Sequence, residues 1–311
     1  MAALLREPLL AAARSPRLRS MAEKSRLTRP VVSRYVAGAS ETDALATTRE
    51  LAAAGLSATL DFLGEDTTAR EQADTTVSAY RTVLAALGAA GLAGDAEVSV
   101  KLSAIGQSLA IDGEKIALDG AREICAAAAA VGTTVTIDME DHTTTDSTLS
   151  IVRDLRADFP WVGTVLQAYL KRTEADCRDF AYEGSRIRLC KGAYAEPESV
   201  AFTGAAVEES YLRCLDILVA GAGYPMIATH DPAMIVGARQ SLRKHARAAG
   251  TYEFQMLLGV RPQAQRELAE QGETMRVYVP YGDEWYGYFM RRLAERPANL
   301  LLFLRSLTSR K

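Results

Sequence analysis

From residue 57 onward, eight short runs of β-branched and apolar residues recur along the chain. Each is followed by a polar loop and then by an alanine- and charge-rich stretch of helical periodicity. The runs are SATLDF (57–62), VSVKLS (98–103), TVTIDME (134–140), GTVLQAYL (163–170), IRLCKGAY (187–194), PMIATHD (225–231), YEFQMLL (252–258) and MRVYVPY (275–281). Most lie 25–40 residues apart, room for a strand and a returning helix. Between them, AREICAAAAAVG (121–132) and AAVEESYLRCLDILVAGAG (205–223) read as helices that close on glycine. The pattern predicts strands apolar on both faces, hence a parallel sheet covered by helices. Eight such units close most economically into an α/β, (βα)8 TIM-type barrel, with a doubly wound open sheet as the alternative.

Polar residues gather where the predicted strands end. Lys101 closes the second run, Asp138 to His142 the third, Gln167 and Tyr169 the fourth, and Arg188, Lys191 and Tyr194 the fifth. Thr229, His230 and Asp231 close the sixth, while Tyr278 and Tyr281 flank the eighth. In a barrel all these ends share one rim, which turns scattered charges into a ring around one cavity. After the eighth run, WYGYFMRRLAER (285–296) predicts a short amphipathic helix. Trp285, Phe289 and Leu293 fall on one stripe, and Tyr288, Arg291, Arg292 and Glu295 on a neighbouring polar face. Laid over the barrel mouth, the two arginines could grip a carboxylate, with Glu295 fixing their forks.

Composition narrows the chemistry. A net charge of −3 gives no whole-chain basic field for nucleic acid. The four cysteines have no zinc-like or C-x-x-C spacing and read as reduced thiols of a cytoplasmic protein. Cys190, between Arg188 and Lys191, reads as core rather than as a nucleophile. No G-x-G-x-x-G, P-loop or G-x-S-x-G occurs, so a phosphate-bearing cofactor would sit on the cationic rim. The carboxylates and histidine of DMEDH could hold a divalent cation, but Lys101, Arg188 and Lys191 would crowd it, and no metal site is assigned. Residues 1–56 are expected to form an N-terminal helical extension, basic at its start, with eight Lys/Arg against two Glu in the first 34 residues. The barrel is expected over 57–299 and a tail helix over 300–311; both basic termini suit peripheral contact with the inner face of the cell membrane.

Several segments resemble one family. KLSAIG (101–106), IDMED (137–141), LQAYLKRT (166–173), RLCKGAYAEP (188–197), ATHD (228–231) and YVPYG…RRLAER (278–296) are similar to proline dehydrogenase in its single-function bacterial form. The resemblance implies a distorted barrel that binds FAD, oxidises L-proline to Δ1-pyrroline-5-carboxylate and passes electrons to a membrane quinone. A pyrroline-5-carboxylate dehydrogenase would then take the product. It implies Arg291 and Arg292 as the carboxylate clamp, Glu295 as their partner, and Lys101, Asp138, Tyr278, Tyr288, Leu257 and Tyr194 as the rest of the substrate pocket. Arg188 resembles the arginine near flavin N5. Met139, Gln167, Lys191, Gly192, Ala193, Thr229 and His230 resemble the FAD contacts, and Glu65 resembles a gate. Cys190 stands where the family usually has valine, and Asp231 where some relatives have asparagine. Tyr278 matches the proline-preferring pattern, since hydroxyproline-oxidising relatives have a smaller residue there. Two rival functions, a metal-dependent barrel lyase and a non-catalytic binding barrel, predict a colourless protein.

Overall fold

The computed structural model describes residues 32–64 and 67–295, with side chains as far as 290. Residues 1–31, Glu65, Asp66 and the tail from 296, together with the side chains of Arg291, Arg292 and Glu295, lie outside the described residues. Eight parallel strands close into a barrel in sequence order. They are β1 (Ser57–Phe62), β2 (Ala96–Val100), β3 (Val135–Ile137), β4 (Gly163–Gln167), β5 (Arg186–Cys190), β6 (Tyr224–Ala228), β7 (Glu253–Leu257) and β8 (Met275–Tyr281). Helix α1 (Glu41–Ala53) precedes the barrel. The strands are connected by α2 (Arg70–Ala89), α3 (Gly113–Val131), α4 (Thr145–Asp158), α5 (Thr173–Phe180), α6 (Ala205–Ala220), α7 (Pro232–Lys244) and α8 (Pro262–Glu270). Helix α9 (Trp285–Glu295) follows β8.

The barrel closes through β1 and β8, paired from Ser57↔Arg276 to Phe62↔Tyr281. One face of each strand is apolar. Ala58, Leu60, Val98, Val100, Ile137, Leu189, Phe254 and Val277 join the helices in one core, each at most 2 % exposed. The other face differs from the expectation of two apolar faces. Glu97 on β2 ion-pairs Arg186 on β5 at 2.8 Å, and Arg188 donates to Gln255 on β7 at 2.6 Å. Those strands are not neighbours, so the contacts cross the barrel interior. The lumen is therefore filled by polar side chains in place of the usual branched apolar layers. Short strands hide this in the sequence, because one charged residue per five-residue run looks like an edge residue.

Helix α9 is held over one side of the mouth. Its Tyr286, Tyr288, Phe289 and Met290 bury against Leu63 after β1, Val260 after β7, and Tyr35 and Val36 ahead of α1. The Tyr35 and Phe289 rings lie 6.1 Å apart. The segment before α1 is tied to the same rim, with Ala37 N donating to Pro280 O and Gly282 N to Gly38 O, both at 2.9 Å. Gly259, at φ +71°, lets Arg34 approach so closely that any Cβ there would collide with its carbonyl.

Candidate active site

The C-terminal ends of β1, β2, β3, β5 and β8 converge on one buried polar cluster. Asp138, the first residue past β3, is its centre. One oxygen accepts from Arg188 Nη1 and Ser99 Oγ, each at 2.7 Å. The other accepts from Tyr278 Oη at 2.7 Å and from Lys101 Nζ at 3.4 Å. Burial alone would raise the Asp138 carboxyl, but Lys101 and Arg188 outweigh it and hold it below the usual range. All four of its interactions are with donors, so the site suits an ionised carboxylate rather than a cation ligand. Burial, with Asp138 and Asp61 alongside, raises the Tyr278 phenol well above its usual range, so it remains a neutral donor.

Lys101 stands just past β2 with its side chain 13 % exposed, between this cluster and the mouth. Its ammonium meets both oxygens of Asp61, at 2.9 and 3.0 Å. Asp61 belongs to β1 and is 1 % exposed, and reading the sequence did not single it out. Its signal was the alternation in SATLDF, which puts Thr59 and Asp61 on the face opposite Ala58 and Leu60.

A second set of groups forms the rim over β4 to β7. Gln167 is buried and donates to Glu140 O at 2.6 Å. Lys191 bridges Asp231 at 2.8 Å and Glu208 at 3.0 Å. Gly192, at φ +112°, packs so tightly on Tyr169 that a Cβ would lie 2.3 Å from its ring. Thr229 Oγ1 accepts from Asp231 N at 3.1 Å, and His230 Nε2 accepts from Leu257 N at 2.9 Å. That bond leaves the neutral imidazole proton on Nδ1. Met139 is packed into the core at 6 % exposure, whereas Ala193 is exposed on the loop after β5. The same loop carries Glu196, which accepts from His142 N at 2.9 Å and Tyr169 Oη at 3.1 Å and pairs with the His142 ring. Neither His142 nor Glu196 was expected to serve this purpose.

Of the expected substrate groups, the structure brings together Lys101, Asp138 and Tyr278, and it sets beside them Arg188, expected near the flavin. Leu257 and Tyr288 meet in the small apolar cluster beneath α9. Tyr194 is 40 % exposed and stands outside the buried set. Cys190 has its thiol raised by burial to about 11 despite Arg188 nearby, as a core residue should.

The family model for proline dehydrogenase matches residues 44–301. The chain belongs to the proline dehydrogenase family. It is an enzyme of that family, and single-function relatives match at nearly full length. It is 39 % identical over 281 residues to proline dehydrogenase 1 of Bacillus subtilis, spanning 90 % of this chain and 91 % of that one. Against the proline dehydrogenase of Deinococcus radiodurans it is 38 % identical over 303 residues, 95 % of each. Among solved structures, proline utilization A from Bdellovibrio bacteriovorus superimposes with a TM-score of 0.78 at 23 % identity. That comparison covers 86 % of this chain and 32 % of the longer one, and it speaks to the fold. Among the described residues no helix is long and apolar enough to cross a membrane.

Proposed function

We propose that the protein is an FAD-dependent proline dehydrogenase, oxidising L-proline to Δ1-pyrroline-5-carboxylate and delivering the electrons to a membrane quinone. Family membership supports proline as the substrate. The observation that carries the reading of the site is the Arg188–Asp138–Tyr278–Lys101 cluster at the barrel mouth beside α9.

The residues fit a flavin nucleotide. Arg188 is 5 % exposed, and its Nη2 has no hydrogen-bond acceptor among the described residues, although Glu97 lies 3.7 Å away. Held by Gln255 on one side and Asp138 on the other, with Nη2 turned to Glu97, this guanidinium would set a fixed positive charge below a ring seated over the cluster. Gln167, Thr229 and His230 add neutral polar groups, and Lys191 with the Gly192–Ala193 backbone would hold the phosphate-bearing part. Met139 would pack beneath it. When bound, the flavin supplies a hydride acceptor at N5. The chain's own work is to bind and orient the imino acid. Arg291 and Arg292 would grip its carboxylate, steadied by Glu295, while Leu257, Tyr194 and Tyr288 wall the ring and Tyr278 leaves no room for a 4-hydroxyl group. Fixing the ring in this way removes the orientational part of the barrier. Glu65, at the start of the β1–α2 loop, would close the pocket. Peripheral membrane contact and hand-over of product to a pyrroline-5-carboxylate dehydrogenase belong to the same reading.

The test is an absorption spectrum of the purified protein, taken before and after anaerobic addition of L-proline. A flavin spectrum that bleaches is expected. A colourless protein, or a flavin that proline leaves oxidised, overturns the reading.

A further inference from the structure

We propose that Asp61, reached through Lys101, is the group that receives the proton of the substrate amine. This rests on the proline-oxidation reading. It adds a residue which neither the rim pattern nor the family resemblance assigned.

The need for an acceptor is chemical. A secondary amine in water at neutral pH is an ammonium ion, like the side chain of lysine. Hydride cannot leave the neighbouring carbon until the nitrogen has its lone pair back. Among the described residues two carboxylates meet Lys101, and they are unequally suited to taking that proton. Asp138 accepts hydrogen bonds from Arg188, Ser99 and Tyr278 in addition to Lys101, so protonating it would waste three good donors. Both oxygens of Asp61 meet the Lys101 ammonium, and its one further donor among the described residues is the Tyr278 hydroxyl, which lies closer to Asp138. Burial raises the Asp61 carboxyl even against that ammonium, and the charge of Asp138 nearby pushes the same way. Two carboxyls driven apart by their surroundings mark which one carries protons.

The other groups around Asp61 do not compete. Inside the barrel it faces Lys101, Asp138 and Tyr278, with Arg188 beyond Asp138. On the outer side stand Tyr80 and Tyr281, both phenols raised by burial and therefore neutral. The Tyr80 hydroxyl is already committed, donating to Ser99 O at 2.6 Å and accepting from Phe62 N at 3.2 Å.

The transfer balances. A substrate N–H bond breaks as an N–H bond forms on Lys101. One of the three original N–H bonds of Lys101 breaks, and an O–H bond forms on Asp61. The substrate nitrogen becomes a neutral amine, Lys101 ends as the ammonium it began as, and Asp61 becomes a neutral acid. One positive and one negative charge vanish together, so no unpaired charge is left in the buried site. Asp61 is 1 % exposed and Lys101 13 %, so Lys101 is also the way back to water once the product has gone.

Asp61→Asn keeps the shape and an oxygen for Lys101. The readout is the rate of anaerobic flavin reduction at limiting proline as a function of pH. A loss of about 100-fold is expected at about pH 7, shrinking as the pH rises through about 10.4 and a growing share of the substrate arrives already neutral. A purely structural role would lower the rate by one factor at every pH, and that result overturns the proposal. A second measurement needs only the wild-type protein. The infrared difference recorded within a single turnover, with the product still bound to the reduced protein, should gain the carbonyl band of a carboxylic acid, and reduction by dithionite should not produce it. Absence of that band overturns the proposal even if the variant does not fold. Should proline fail to reduce the wild-type flavin at any pH, the proline-oxidation reading falls first and takes this one with it.

Discussion

Single side chains can be tested one at a time in the proposed site. The Tyr278 hydroxyl donates to Asp138 at 2.7 Å and lies 3.3 Å from Lys101 Nζ. Tyr278→Phe keeps the ring and removes that donor, leaving a buried carboxylate short of one bond. A lost hydrogen bond to a charged group is worth about 1.5–3 kcal/mol, so kcat/KM for proline should fall about 10- to 100-fold. Steady-state kinetics showing less than a twofold change would remove the hydroxyl from the pocket. For the clamp, Arg292→Ala should raise KM for proline by a similar factor while flavin content stays unchanged, which absorbance per mole of protein checks. Normal proline affinity in that variant would end the clamp role. The sequence offered the arginine pair as a clamp because its helix follows the eighth strand; the helix is where it was expected, while the two side chains lie outside the described residues. Asp61 was not legible. A lone acid in a half-apolar strand reads as a cap until Lys101, 40 positions away, is seen beside it.

Elements hold these residues in place, and the loops after the strands do most of it. All eight strands were foreseen, but most of those predicted to run past their polar ends stop short of them. β3 ends at Ile137 and β5 at Cys190, where expectation carried them to 140 and 194. The reason is physical. At those points the backbone makes its last bonds to the neighbouring strands, Asp138 N to Val100 O and Tyr169 N to Lys191 O, while the Asp138 and Lys191 side chains turn to Arg188 and Asp231. The 191–204 loop has no helix of its own and is fastened by the long-range Glu196 clasp to His142 and Tyr169. Glu196 has a side chain 3 % exposed, so its removal leaves a gap as well as lost bonds. Glu196→Ala should therefore speed amide exchange across 191–204 by about tenfold or more, with the strands unchanged. It should also weaken flavin retention on dilution. Hydrogen exchange followed by mass spectrometry measures the first effect, and an unchanged loop would mean that the backbone alone holds the rim.

At the scale of the whole molecule, the polar lumen connects the floor of the barrel to its mouth. Arg276 pairs with Glu253 at 2.8 Å, Gln255 contacts both Glu253 and Arg188, and Arg188 reaches Asp138. Glu97 sits among Arg186, Arg188 and Arg276, 1 % exposed. Burial would raise its carboxyl, but Arg186, Arg276 and Arg188 prevail and hold it far below the usual range. A carboxyl depressed in the folded state binds fewer protons there than when unfolded, so stability from this group is complete above its ordinary value of 4.5 and drains away as pH falls below it. Glu97→Gln removes the anion and leaves three buried guanidinium groups facing one another. Breaking a buried ion pair on one side costs about 3–5 kcal/mol, well above a surface substitution. Urea unfolding at about pH 7 should show that loss, and the gap between wild type and variant should narrow as the pH is lowered below about 4.5 and wild-type Glu97 also begins to lose its contribution. A gap that stays constant on acidification would mean that Glu97 stabilises the barrel by shape and not by charge.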